Sequence, residues 1–331
     1  MFRKMLGFGA LAITLVFGVT GLAGTAQAAT KTIRVAFNQP LVHPEAQALQ
    51  IASKELEAAT GGRYKLQIFP NATLGDQRAT LELVQNGALD IALVANPLME
   101  NYNKDFGVLG LPYIFDSAEH QFRVFTSDVL DEVFASSRNK GFQVLAAYTC
   151  GARNVYTDKP IKTPADLKGY KIRVMQSDTM VQTINLMGGV GTPMSQGEVY
   201  TAIQQKVIEG GENSEITYYD LRHYEVAPFF SYTGHFRVAD LLVASTKLLD
   251  KMSDEDRAAF MKVIKESVKT EFRIWDERMG DTKAKCLEKG VTFVDVDIKP
   301  FQENCKPLHA QMTASSPSAK KLYDAIRAMG D

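Results

Sequence analysis

Three residues of this chain have the types and spacing for holding an anion: Arg153 in "GARN", Arg173 in "KIRV" and Asn213 in "GGEN". A guanidinium is a planar fork that donates to both oxygens of a carboxylate, which a lysine ammonium cannot do. Tyr170, Ile172 and Val174 alternate with Lys171, Arg173 and Met175, so Arg173 leaves a short strand opposite its apolar side. Arg153 and Asn213 each follow a strand-like run. All three therefore fall at or near strand carboxyl ends, where open αβ sheets bind ligands. From spacing alone, the competing reading is that both arginines pair with surface acids.

Other chemistry has little support. There is no G-x-S-x-G elbow, H-E-x-x-H pair, P-loop or calcium loop. "GGVGTP" at 188–193 lacks dinucleotide-binding spacing and reads as a tight αβ connection. The five histidines (His43, His120, His223, His235, His309) are scattered, without metal-site spacing. Of three cysteines, Cys286 and Cys305 flank a strand-like "VTFVDVDI" and are either joined or buried as inert thiols; Cys150 stands apart. No nucleophile–base pair emerges. An exported αβ lyase or hydrolase is the rival class, with His235 as its least poor base.

The elements that must position the anion site alternate in type. "KTIRVAF", "RYKLQIF" and "DIALVA" read as strands, separated by a helix from His43 to Gly62 and another near 76–87. A second set starts near residue 143 with "FQVLAAY". Thr163-Pro164-Ala165-Asp166 resembles a helix start, "YKIRVM" a strand, "DTMVQTINLMGG" a helix, and Ser195-x-x-Glu198 a capping box. "DLLVAS" is a late strand, and a long helical pattern runs from Ser253 to about Gly290. Strand–helix alternation implies parallel strands with helical crossovers. Two such sets plus a late helix predict an α/β chain of two lobes, with a ligand cleft between them and the long helix crossing both. The expected division is lobe I from 29–150 with about 239–275, and lobe II from 151–238 with about 276–331.

Bulk properties agree. With 331 residues, 45% hydrophobic and 23% charged, the chain can build one large or two medium cores. The first 28 residues read as a signal peptide: Arg3 and Lys4, an apolar run, and Ala26-Gln27-Ala28 as a cleavage signal after Ala28. Removing Arg3 and Lys4 leaves 35 Lys and Arg against 38 Asp and Glu, a formal charge of −3. That near-neutral balance carries no footprint for nucleic acid. An exported, soluble, periplasmic protein is expected.

The run "ARNVYTDKPIKTPADLKGYKIRVM…GGVGTPMSQGEVYTAIQQKVIEGGEN" resembles the substrate-binding proteins of TRAP (tripartite ATP-independent periplasmic) transporters. "IFPNATLGDQRATLELVQNGALDIALV" and "GLPYIF" fit the same family. The resemblance implies that Arg173 makes the main two-oxygen contact with a ligand carboxylate, with Arg153 and Asn213 in support. It further implies no catalysis, no cofactor, and delivery of a small organic acid to an integral membrane permease, usually driven by a sodium gradient; a monomer is expected. Ala95 and Gln196 depart from the sialic-acid members. "RVMQSDTM…TPMSQGEVYTAIQQ…ENSEITYYDLRHYEVAPFFSYTGH" is closer to members that bind sugar acids such as hexuronates. Asn38, Gln39, His43, Asn96 and Gln176 are the polar positions expected to read hydroxyls, and Glu215 a further acceptor. A C4-dicarboxylate or an aromatic or amino acid derivative is the alternative ligand; a dicarboxylate would require a second first-lobe cation, for which Arg78 is a candidate.

Overall fold

The computed structural model describes residues 29–330. The signal peptide expected over residues 1–28 lies outside the described residues.

The chain first lays down β1 (Lys31–Ala36), β2 (Tyr64–Phe69), β3 (Ile91–Ala95) and β4 (Phe142–Thr149). It then crosses to a second sheet and builds β5 (Arg153–Thr157), β6 (Lys171–Val174), β7 (Val190–Pro193), β8 (Gly210–Asn213) and β9 (Phe229–Phe236). β10 (Ala239–Ser245) returns to the first sheet and β11 (Thr292–Val294) joins the second. The sheet orders are β2-β1-β3-β10-β4 and β11-β9-β5-β8-β6-β7. Expected parallel pairs occur at β1–β2, β1–β3, β6–β7 and β6–β8. β10 instead inserts antiparallel between β3 and β4, and β5 runs antiparallel to β8 and β9.

Each sheet has its own core. Ile33, Val35, Ile91, Leu93 and Leu242 pack under the first, against Leu49 and Leu56 of the helix Pro44–Ala59. Val155, Ile172, Val174 and Ile184 form the second core, beside an aromatic cluster of Tyr156, Tyr218 and Phe230. The helix Asp254–Glu288 spans the assembly: 35 residues make a rod about 52 Å long. Its Phe260, Ile264 and Val268 enter the first core, Trp275 the second and Cys286 the aromatic cluster. Ser253 caps it as the sequence predicts.

At the first crossing between lobes sits Gly151, with φ +65°. A Cβ there would lie 2.7 Å from the Trp275 ring, so both the backbone and the space call for glycine.

One expectation changes. The final helix, Pro317–Arg327, was expected with lobe II, yet Ala319, Leu322 and Ile326 pack in the first core. Arg327 also donates to the Ile114 carbonyl (2.8 Å) and pairs with Asp116 (2.7 Å). The apolar stripe marks the helix as packed, but sequence alone does not say on which lobe. Of the two readings left open for Cys286 and Cys305, the structure has the buried thiols: they are free and lie in different clusters, and burial pushes the pKa of each up to about 12.

Candidate functional site

Between the two sheets lies a cavity of about 310 Å³. Arg173, Gln176 and Gln196 line it from one side, Asn38, Gln77 and Arg78 from the other. Asn38 follows β1; Arg78 stands on the helix Gln77–Asn86, whose start is fixed by Asp76 accepting from the Ala79 amide at 2.9 Å. The predicted capping box of Ser195 and Glu198 forms, presenting Gln196 to the cavity on the turn it begins.

Arg173 is 3% exposed and occupies the third position of β6, between fully buried Ile172 and Val174. Its Nε and Nη2 donate to the Met194 carbonyl at 2.9 and 2.8 Å. No carboxylate of the described residues pairs with it. Burial lowers its pKa to about 10, opposed by the field of Glu212. It is a desolvated cation whose counter-charge the protein does not supply.

Arg153 is different. Its Nε donates to Glu212 Oε2 at 2.6 Å, its Nη2 to Glu212 Oε1 at 2.8 Å, and its Nη1 to Asn213 Oδ1 at 3.0 Å. Burial alone would lower its pKa, but Glu212 more than offsets this and holds it above the ordinary arginine value. The sequence reading put Arg153 near a strand's carboxyl end. It opens β5, and reaches Asn213 because β5 runs antiparallel to β8, with Asn154 opposite Asn213. β8 can lie this close because Gly211 has no side chain; a Cβ there would stand 2.6 Å from the Tyr156 hydroxyl.

Asn38 and His43 line a small chamber of about 20 Å³, with Arg153 and Asn213. His43 precedes the helix Pro44–Ala59 without capping it through its side chain. Its ring lies edge-on to Phe37 (5.6 Å between centroids) and Trp275 (5.5 Å), and burial pulls its pKa down to about 4. Gln176 lines the main cavity, while its neighbour Ser177 caps the helix Asp178–Leu186.

Two expected positions do not join them. Asn96 is fully buried, its side chain donating to the Phe106 carbonyl (3.3 Å) and accepting from the Ala239 amide (3.0 Å). It ties backbone segments together because the turn after β3 closes directly over the core. Glu215 faces a separate hollow beside the long helix, with Tyr232 donating to its carboxylate and Lys283 nearby. The helix Glu215–Asp220 turns it away from Asn213. Tyr218 belongs to the aromatic core and donates to the Ala227 carbonyl.

Sequence reasoning did not single out Glu212 or Asp240 as partners in the site, and met Gln196 only as a departure from the sialic-acid members. Of the first two, Glu212, adjacent to Asn213 in "GGEN", carried a signal, as an acid next to a candidate anion ligand.

Catalysis finds no support in the geometry. Burial, aided by Arg153, lowers the His235 pKa to about 3; its Nε2 lies 3.8 Å from Glu212 and its Nδ1 pairs at 2.8 Å with the Thr233 hydroxyl, which is fully buried and also accepts from the Val155 amide. Glu45, Cys150 and Asp240 are the one cluster among the described residues with ligand atoms close enough for a metal. Burial raises the pKa of all three, so the cluster sits as proton-sharing acids and a thiol.

The lobes meet across the cleft. Ser177 and Thr179 donate to Glu100 at 2.9 and 3.2 Å, and Asn38 donates to Gln196 at 3.5 Å. Two α/β lobes, a cleft and a buried cation lacking a counter-ion define a receptor for an organic anion.

The comparisons agree. The model for bacterial extracellular solute-binding protein, family 7, matches residues 36–316. The uncharacterized protein YiiZ of Salmonella typhimurium is 39% identical over 287 residues, 86% of this chain and 88% of that protein. A TRAP periplasmic solute binding protein of Anaerococcus prevotii, solved with bound D-glucuronate, gives a TM-score of 0.87 at 34% identity, covering 91% of this chain and 98% of that one. One from a Bradyrhizobium species, in complex with D-galacturonate, gives 0.87 at 35%, covering 90% and 100%. The chain belongs to the family 7 bacterial extracellular solute-binding proteins, the TRAP solute receptors. It is a receptor and not an enzyme, of a periplasmic family that binds small organic acids and works with membrane permease subunits.

Proposed function

We propose that this receptor captures a hexuronate, D-glucuronate or D-galacturonate, and presents it to its permease. The observation that carries the reading is Arg173: buried, held by one carbonyl, and without an acid partner, inside a cleft that the amides of Asn38, Asn71, Gln77, Gln176 and Gln196 help to line. A uronate carboxylate supplies the missing charge and its hydroxyls suit the amides. Relatives with 34% and 35% identity over nine-tenths of the chain hold these sugars. Arg153, clamped by Glu212, orients Asn213. Gln176, Asn38 and His43 read the remainder of the sugar.

Arg78 keeps a dicarboxylate reading open, because it lines the same cavity from the first lobe. Asp76 lines it too, two residues earlier, and offsets that second cation. The charged lining of Arg173, Arg78 and Asp76 sums to one positive charge, which matches a monocarboxylate. Export with cleavage after Ala28, a monomeric receptor, and hinge closure about the crossings near residues 150 and 238 complete the proposal.

The test is a thermal-shift and calorimetric panel on residues 29–331, stripped of co-purified ligand: hexuronates, aldonates, C4-dicarboxylates, sialic acid and amino acids. A ligand at about a thousand times its Kd adds ~4 kcal/mol, moving the midpoint by several degrees. Shifts from hexuronates are expected. Shifts from dicarboxylates alone would discard the ligand and keep the receptor.

A further inference from the structure

The chamber of about 20 Å³ adjoins the main cavity, and Asn38, Gln77, Met175 and Gln196 line both. Polar atoms without a hydrogen bond gather around it: Asn38 Oδ1, Gln39 Oε1, both His43 ring nitrogens, Gln196 Nε2 and Asp240 Oδ1. Gln39, His43 and Asp240 are themselves 5%, 2% and 5% exposed. Leaving so many buried polar atoms unpaired is costly, and the volume suits one oxygen with its proton.

We propose that this chamber is the subsite of a single ligand hydroxyl, and that Gln39, His43 and Asp240 select which ring carbon must carry it. The proposal builds on the hexuronate reading and adds a positional rule to it. A hydroxyl gives one proton and accepts two. Gln39 Oε1 takes the hydroxyl proton, and the hydroxyl oxygen accepts from Gln196 Nε2 and from one nitrogen of His43, whose Nδ1 side lies 3.4 Å from Glu45 Oε2. The chamber is also nearly neutral, because burial lowers the His43 pKa and raises that of Asp240, while Arg153 is neutralised by Glu212. A neutral group belongs here rather than an ammonium or a second carboxylate. A methyl ether has no proton to give and exceeds the space.

The experiment measures Kd by calorimetry for glucuronate, galacturonate and the 1-, 2-, 3- and 4-deoxy analogues of whichever binds tighter. Each is run with the wild-type receptor and with Gln39→Met, which keeps the length of the side chain and removes the acceptor. One deoxy position is expected to weaken wild-type binding by about thirtyfold or more, and the others by less than about fivefold. In Gln39→Met that one penalty shrinks while the other ratios stay unchanged. Deoxy penalties spread evenly over the ring, or one large penalty untouched by Gln39→Met, would overturn the subsite and leave the chamber to a bound water. Failure of both hexuronates to bind wild-type receptor would instead overturn the uronate reading, and the positional rule with it.

Discussion

Arg153 and Glu212 face each other as a two-pronged buried pair, with Nε to Oε2 at 2.6 Å and Nη2 to Oε1 at 2.8 Å. Arg173 lies in the same sheet, two strands away from β5, and has no such partner. The two arginines singled out by spacing therefore do different work. One is a completed ion pair that stiffens the end of β8; the other holds its charge in reserve. A buried cation without an anion costs the folded protein free energy, and a ligand carboxylate recovers that cost on binding.

Replacing Arg173 separates these effects. Arg173→Met keeps the stem and removes the desolvated charge. Binding of a carboxylate ligand is expected to weaken by at least ~2 kcal/mol, about thirtyfold, because a charge-assisted pair is lost. The ligand-free protein is expected to hold or gain stability, by up to ~2 kcal/mol, since an apolar side chain replaces an unpaired buried charge. Calorimetry reads the first and urea unfolding the second. Affinity retained within threefold would remove Arg173 from the site.

A pH dependence follows from the acids behind the cleft. Burial raises the Glu45 pKa from 4.5 to about 8, and that of Asp240 and Glu271 also upward. An acid raised on folding contributes stability that is fully present below its unfolded pKa and lost as pH rises through the folded value. His43, His223 and His235 are lowered to about 4, 3 and 3, so their effect is confined below about pH 6.5, where stability climbs with pH. Between pH 6.5 and 8 only the acids act, and stability should fall by up to ~1.4 kcal/mol per pH unit for each acid titrating. Urea midpoints at the two pH values give the slope. Glu45→Gln should flatten it, and an identical slope in the variant would exclude Glu45 as the source.

How much of this was legible in the sequence varies with the range of the interaction. Local rules located the elements: Ser253 starts the long helix, the helix read near 76–87 is Gln77–Asn86, and Ser195 with Glu198 forms its box. Alternation in "YKIRVM" marked Arg173 as special because a strand with a guanidinium between two buried aliphatics needs a reason. Partners across the fold were not legible. Asn96 and Glu215 looked like cleft residues by their position after a strand, but one turn of helix or a tight loop redirects each side chain. Antiparallel insertion of β10 brought Asp240 under the cleft, and no local pattern encodes that register.

The hinge carries its own reporter. Trp275 is the chain's single tryptophan, and it packs against Gly151 at the crossing between lobes and against the His43 ring, 5.5 Å away. The proposed lobe closure would turn the backbone at this crossing, and a ligand in the adjoining chamber would border His43. Saturating hexuronate is therefore expected to change the intensity or position of Trp275 emission, with a titration midpoint equal to the calorimetric Kd. Gly151→Ala places a methyl group against the ring at positive φ, which strains the crossing by ~1–3 kcal/mol and should lower the unfolding midpoint. The same variant should slow the emission change in stopped-flow mixing, because the strained crossing is the segment that must turn. Emission unmoved by a ligand that calorimetry shows to be bound would mean that closure does not pass through Gly151 and Trp275, and would shift the hinge to the second crossing near Val238.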